Sequence, residues 1–239
     1  MCSLLRVGPM TLSDIQTGKI NVLGAKIVLS VIWMLAFSGC VGLFVKDYGV
    51  VARDSKKVRE DGEPVVSSEN IPSISQGFNP GPSEGKFPKT TSGHHGIDIL
   101  GKKGTPVISC AAGIVIDAFF DIFYGHRVVI EHGQDENGLP VRSKYFHLQR
   151  RLVKKGDNVN RGQQIGTLGR TGLLAGFPHL HFEIRVGDPL DPLVFESINP
   201  HRFWVDGIGV ITCYDSSRQW LNTPFRTTYP VPCLGVDWQ

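Results

Sequence analysis

The chain has 239 residues, with 25 Lys plus Arg against 22 Asp plus Glu, a net charge of +3 and 41% apolar residues. This composition excludes a disordered tail protein, a multi-span membrane protein and a nucleic-acid binder with a strongly basic surface. The 28 Gly and 15 Pro weight the fold toward a loop-rich β architecture rather than a helical bundle.

The amino end, residues 1–45, is dominated by IVLSVIWMLAFSGCVGLFV, the 19 uncharged residues Ile27 to Val45. The stretch before it carries Arg6, Lys19 and Lys26 against the single acid Asp14. As one N-terminal hydrophobic helix, at about 1.5 Å per residue, the run spans ~28 Å, close to the ~30 Å hydrocarbon core of a bilayer. Three readings stay open: a secretion signal, a retained membrane anchor and a buried core helix. Phe37-Ser38-Gly39-Cys40 resembles a bacterial lipobox, which makes Cys40 the candidate lipidation site, with Phe37 where Leu is usual. The basic stretch is long for a lipoprotein signal, so Met10 is a candidate start. Lys46, Arg53, Lys56, Lys57 and Arg59 beyond the run leave its orientation undecided.

Residues 46–70 are crowded with charge and poor in large apolar side chains, and read as a polar linker. From residue 71 to 200 the texture changes to short β-branched or aromatic runs punctuated by Gly and Pro, including HRVVIEHG, VRSKYFHL, QQIGTLG and HLHFEIRV, which predict many short strands. Gly156, Gly162, Gly166 and Gly169 fall at turn-like intervals and are expected to serve tight hairpins. Neither a GxGxxG nor a Walker pattern is present to cradle a phosphate.

All eight histidines lie between His94 and His201. In HLHFEIRV an extended strand alternates faces, so His179, His181, Glu183 and Arg185 share one side while Leu180, Phe182 and Ile184 face a core. Gly93-His94-His95-Gly96-Ile97-Asp98 offers a second set, with His94, Gly96 and Asp98 on one side, and Gly96 is expected to leave open space above the backbone. His94, Asp98 and His181 together supply two imidazoles and one carboxylate, a donor set suited to Zn²⁺ with a fourth position left for water. The alternatives are a solvated polar strand face and a turn in which Asp98 satisfies backbone N–H groups.

Taken in order, HHGIDILGKKGTPVISCAAGIVI, YGHRVVIEHG, KYFHLQRRLVKKGDNVNRGQQIGTLGRTG and HLHFEIR resemble the lysostaphin-type (LytM-like) zinc metallo-endopeptidases, which cut peptide cross-links of bacterial peptidoglycan. The resemblance runs from about Ile74 to Pro200. It implies a mainly β fold, an antiparallel sheet with barrel-like packing and a narrow groove with one Zn²⁺ at its floor. It further implies His94, Asp98 and His181 as ligands, and His147 of YFHL and His179 of HLH as catalytic histidines that do not bind the metal. One of these two would act as general base and the other would hydrogen-bond the oxyanion, in an order the sequence leaves open. No HExxH element is present, so a Glu base on a helix is excluded. His132 reads as structural, His126 as groove-lining or in a turn, His95 as pointing away from the metal, and His201 as outside the matched stretch. Leu173 to Pro178, LLAGFP, departs from the family's shorter and more hydroxylated loop.

Two functional classes compete. The first is a zinc-dependent endopeptidase in cell-wall remodelling, with peptidoglycan as its partner, the membrane engaged through the N-terminal segment and the catalytic domain outside the cytoplasmic membrane. The second is a non-catalytic LytM-like factor that activates a cell-wall amidase. The family's degenerate members lose ligands, whereas all five residues are present here, which favours the enzyme. A Gly-rich polypeptide is a third candidate substrate. In the extension, residues 201–239, Cys213 and Cys233 are candidates for a disulfide worth about 3 kcal/mol by the chain-entropy model, which would fit an oxidising compartment. Cys110 reads as a small buried side chain.

Overall fold

The computed structural model describes residues 57–60, 63–79, 93–191 and 193–239. The apolar run 27–45, the helix expected there and Cys40 lie outside the described residues, and so does most of the linker.

The first strands are β1 (Lys57–Glu60), β2 (Glu63–Val66), β3 (Ile74–Gln76), β4 (Ile97–Leu100), β5 (Pro106–Ile108), β6 (Gly113–Asp121) and β7 (Gly125–Gln134). They are followed by β8 (Pro140–Leu148), β9 (Arg150–Arg151), β10 (Asn158–Val159), β11 (Gln164–Thr167), β12 (His179–Gly187) and β13 (Phe195–Ile198). Every strand pairing is antiparallel. The main sheet runs β10-β6-β7-β8-β12-β4-β3, with β13 also on β12, and a smaller sheet runs β5-β11-β9. Among the described residues, helix is limited to a 3₁₀ turn at Pro200–Arg202. The fold is therefore mainly β and antiparallel, as the strand-length apolar runs and the Gly and Pro content imply.

Period-two alternation decides which face of the main sheet is core. Leu180, Phe182 and Ile184 of β12 are fully buried, joined by Val141 and Tyr145 of β8 and Val128 and Ile130 of β7. The intervening residues, including His179, His181 and Glu183 of β12 and Phe146 of β8, occupy the opposite face, on which the candidate site is built.

The carboxyl-terminal extension is part of this core rather than a cap laid upon it. Phe203, Trp204, Ile211, Phe225, Tyr229, Val231 and Cys233 belong to the same buried cluster as the sheet residues. Arg161 fastens it: its guanidinium donates to the carbonyls of Cys110, Leu221 and Arg226. Cys213 and Cys233 are disulfide-bonded, with their Cα atoms 5.9 Å apart. At the other end Val65 and Ile71 are buried in the same cluster, so the chain is already committed to the core within the stretch that composition alone assigns to a linker ending at residue 70.

The glycine expectation needs correction at two of its four positions. Gly156 and Gly162 have positive φ and do serve turns. Gly166 and Gly169 do not: a Cβ at Gly166 would stand 2.7 Å from the Arg150 carbonyl oxygen, and one at Gly169 would collide with the backbone of His147 and Gln149. These two glycines permit close strand approach, a constraint that spacing along the chain does not reveal.

If the extension is integral, truncating its largest core side chain must destabilise the whole domain. Trp204→Ala is expected to cost about 3–5 kcal/mol in urea denaturation, whereas Leu221→Ala, 84% exposed in the wild type, is expected to change stability by less than ~0.5 kcal/mol.

Candidate metal centre

Strand register brings the donor residues together. In the β4–β12 ladder Asp98 stands directly opposite His181. His94 precedes β4 and is held by an antiparallel bridge to Asn79. Asp98 Oδ1 lies 2.8 Å from His181 Nδ1 and 3.1 Å from His94 Nε2, and the two ring nitrogens are 3.0 Å apart.

Each imidazole is turned so that a lone pair faces this triangle. His94 Nδ1 lies 2.6 Å from the Gly77 carbonyl oxygen, to which only an N–H can bond, so Nε2 is the bare nitrogen. His181 Nε2 lies 3.1 Å from Glu183 Oε1, so its N–H donates there and Nδ1 is the nitrogen that faces the triangle, bare once the ring is neutral. Three acceptor atoms facing one another at about 3 Å repel unless a proton or a cation lies among them. Tetrahedral coordination with bonds of about 2.0–2.2 Å puts donor atoms roughly 3.4 Å apart, so a small relaxation admits a metal ion. The donor set fits, and these residues could hold one.

Proton occupancy follows from the same contacts. Burial alone would lower the pKa of His181, but hydrogen bonds to the Asp98 and Glu183 carboxylates raise it to about 9. Burial opposes ionisation of Asp98, yet the His181 and His94 imidazoles beside it hold its carboxyl far below the ordinary range. Glu183, buried and also bonded by Arg185 Nε at 2.8 Å, is depressed to about 2 despite its burial.

Residues 92–192 match the sequence model of Peptidase family M23. Residues 92–192 are an M23 peptidase domain. Peptidoglycan DD-endopeptidase ShyC of Vibrio cholerae is 40% identical over 116 residues, 47% of this chain and 24% of that protein. Murein hydrolase activator NlpD of Escherichia coli is 36% identical over 127 residues, 51% of this chain and 30% of that protein. The catalytic domain of lysostaphin from Staphylococcus simulans is 28% identical, with a TM-score of 0.42 over 54% of this chain and 89% of that one. The chain spans about a quarter of the length of the curated relatives it matches.

Beside the donor triangle the M23 domain carries two further imidazoles, His147 and His179, with ring centroids 4.8 Å apart. His147 Nδ1 lies 2.8 Å from the Thr171 carbonyl oxygen and His179 Nδ1 2.8 Å from that of Phe177. Both rings are thereby fixed as tautomers whose Nε2 is an acceptor, and His179 Nε2 lies 3.7 Å from Asp98 Oδ1. Burial pushes the pKa of His147 down to about 4 and lowers that of His179, so both are neutral at pH 7. His147 has φ 60°, the one non-glycine residue with positive φ among the described residues. Thr171 secures that conformation: its hydroxyl donates to the Leu148 carbonyl, accepts from the His126 N–H, and its own carbonyl holds the His147 ring.

The five residues His94, Asp98, His147, His179 and His181 thus lie in one locality, and the other histidines do not join them. His132 bonds Ala112 O and Ser143 Oγ inside the core. His201 accepts from the Trp204 indole N–H. His126 packs against Phe120, and His95 stays near Arg185 and Glu183, outside the triangle. Gly96 does not leave open space: a Cβ there would collide with the Phe182 carbonyl, so this glycine lets β12 close onto the segment that carries His94. Sequence reasoning placed Glu183 on the correct face without assigning it a role, and it missed Thr171 and the Gly77 carbonyl.

The orienting role of Glu183 is testable by metal competition. Glu183→Gln is expected to weaken metal affinity about 10–100-fold, read by a chromogenic chelator. Because His181 has its pKa raised to about 9 in the metal-free protein, uptake below that pH must displace a proton. Affinity is therefore expected to rise by up to about tenfold per pH unit between pH 6 and 9 and then level off. Calorimetry in buffers of different ionisation enthalpy should show about one proton released per ion at pH 7.

Proposed function

We propose that this chain is a zinc-dependent endopeptidase that hydrolyses peptide cross-links of bacterial peptidoglycan during cell-wall remodelling. The observation that carries the proposal is the conjunction of three converging donors, each turned by a second group, with two neutral imidazoles beside them. A protein that acted only by docking would need neither.

In this reading His94, Asp98 and His181 would hold one Zn²⁺, which would supply Lewis acidity and make a water in the site more acidic. His147 and His179 are both able to accept a proton at Nε2, since Nδ1–H of each is committed to a backbone carbonyl. One of them takes the proton of the attacking water. The other is placed to hydrogen-bond the scissile carbonyl oxygen as negative charge gathers on it. The fixed ring orientations mean that neither imidazole must reorganise when substrate arrives.

The similarity to ShyC, whose name records DD-endopeptidase activity on peptidoglycan, supports the substrate class. A cell-envelope location outside the cytoplasmic membrane follows from such a substrate and agrees with the Cys213–Cys233 disulfide. Residues 27–45 would supply the membrane attachment, with Cys40 as the lipid-bearing position. The similarity to the activator NlpD favours a second reading, in which the domain stimulates a separate wall amidase.

Purified sacculi separate the two. His181→Ala is expected to lose bound zinc and release no muropeptides while still unfolding cooperatively. His147→Ala is expected to retain zinc, with kcat lowered at least ~100-fold. Wild-type fragment release from His181→Ala would overturn the endopeptidase reading. Release by the zinc-loaded wild type only when an amidase is added would establish the activator reading instead.

A further inference from the structure

The face of the sheet that carries the donor triangle continues past it as a cationic surface. Three cross-strand rows follow one another on β12 and β8: His181 opposite Phe146, Glu183 opposite Lys144, and Arg185 opposite Arg142. Phe146 and His181 are in ring contact, with centroids 5.5 Å apart, so the first row belongs to the metal centre. Successive rows on one face lie about 6.8 Å apart, within the reach of a lysine side chain. Arg127 of β7 completes the surroundings of Lys144.

The arginines here are neutralised and the lysine is not. Arg127 pairs with Asp117 at 3.5 Å, Arg142 with Glu131 at 2.9 Å and Arg185 with Glu183 at 2.8 Å. Glu183 attracts Lys144, but its two oxygens are already engaged by His181 Nε2 and Arg185 Nε. Among the described residues no carboxylate lies within ion-pair distance of Lys144. A half-buried ammonium ringed by three guanidinium groups is costly to leave without a counter-charge. Its pKa is accordingly lowered, by burial first and then by Arg185, with Glu183 opposing and Arg127 and Arg142 adding to the shift.

We propose that Lys144 is a binding site for a free carboxylate of the peptide substrate, carried on a residue beside the cleaved amide. The proposal rests on the endopeptidase reading and narrows its substrate class. One row of the sheet separates the ammonium from the donor triangle, so the anion it holds must lie within about two residues of the amide presented to His147 and His179. A cross-link with a free carboxylate at that place is therefore preferred over a Gly-rich bridge, which has none. Lys144 acts as a specificity residue, and the paired arginines keep the neighbouring carboxylates from neutralising it.

The test uses the full zinc-loaded chain and two probes: a cross-linked stem-peptide dimer released from peptidoglycan, and the same dimer with its free carboxylates converted to carboxamides. The wild type is expected to favour the carboxylate dimer about 10-fold or more in kcat/KM. In Lys144→Met that ratio is expected to fall to near 1, and in Lys144→Arg to persist. Lys144→Gln replaces the Met variant if the latter does not unfold cooperatively. Equal cleavage of both dimers by the wild type, or a preference that survives in Lys144→Met, would overturn the carboxylate site and leave the endopeptidase reading intact. If neither dimer is cleaved, the endopeptidase reading fails and calorimetric binding decides the site. A carboxylate preference in binding that Lys144→Met abolishes supports it, and equal binding of the two dimers overturns it.

Discussion

The contact between Glu183 and the ring of His181 decides which nitrogen of that imidazole meets Asp98 and His94. An imidazole offers two nitrogens, and a strand residue cannot by itself choose which one it presents. By accepting the Nε2–H, Glu183 leaves Nδ1 facing Asp98 and His94. Because the two residues are two positions apart on β12, the strand's own alternation puts carboxylate and imidazole on one face. The price is a buried anion, and it is met by Arg185, again two positions on. One stretch of nine residues therefore supplies a candidate metal donor, the group that orients it and the cation that stabilises that group.

The same logic governs the two histidines that stand beside the donors. His147 and His179 come from different strands and each gives its Nδ1–H to a main-chain carbonyl of the 171–177 segment. Backbone carbonyls do not titrate, so the tautomer of each neutral ring does not depend on the ionisation of a neighbouring side chain. Of the two imidazoles of the triangle, His181 is oriented by a side-chain carboxylate and His94 by the Gly77 carbonyl, whereas His147 and His179 are oriented by main-chain oxygens alone.

Much of this was legible in the sequence, for reasons that can be named. HLHFEIRV states its own parity, so the core face of Leu180, Phe182 and Ile184 and the opposite face of His179 and His181 follow directly. The spacing of His94 and Asp98 and the resemblance to a known family pointed to residues that do converge. What failed were features that depend on a distant segment. Gly96 looked like a gap, but the Phe182 carbonyl fills the space above it. Gly166 and Gly169 looked like turn residues, but they are points where strands touch. The extension from residue 201 has a Trp-, Tyr- and Pro-rich composition without strand periodicity, so nothing local marks Trp204 and Tyr229 as the core residues they are. A side chain's neighbours from elsewhere in the chain leave no mark on the residues adjacent to it.

The left-handed backbone at His147 carries one more consequence. That conformation is open to glycine and, among side-chain-bearing residues, is most accessible to Asn, Asp and His. Exchanges at this site therefore divide by shape before they divide by chemistry. A valine or isoleucine would force the main chain out of its bend and drag Leu148 and Thr171 with it, whereas an asparagine would keep the bend and remove only the titratable ring. The side chains this position accepts are therefore set by the bend before any activity is considered.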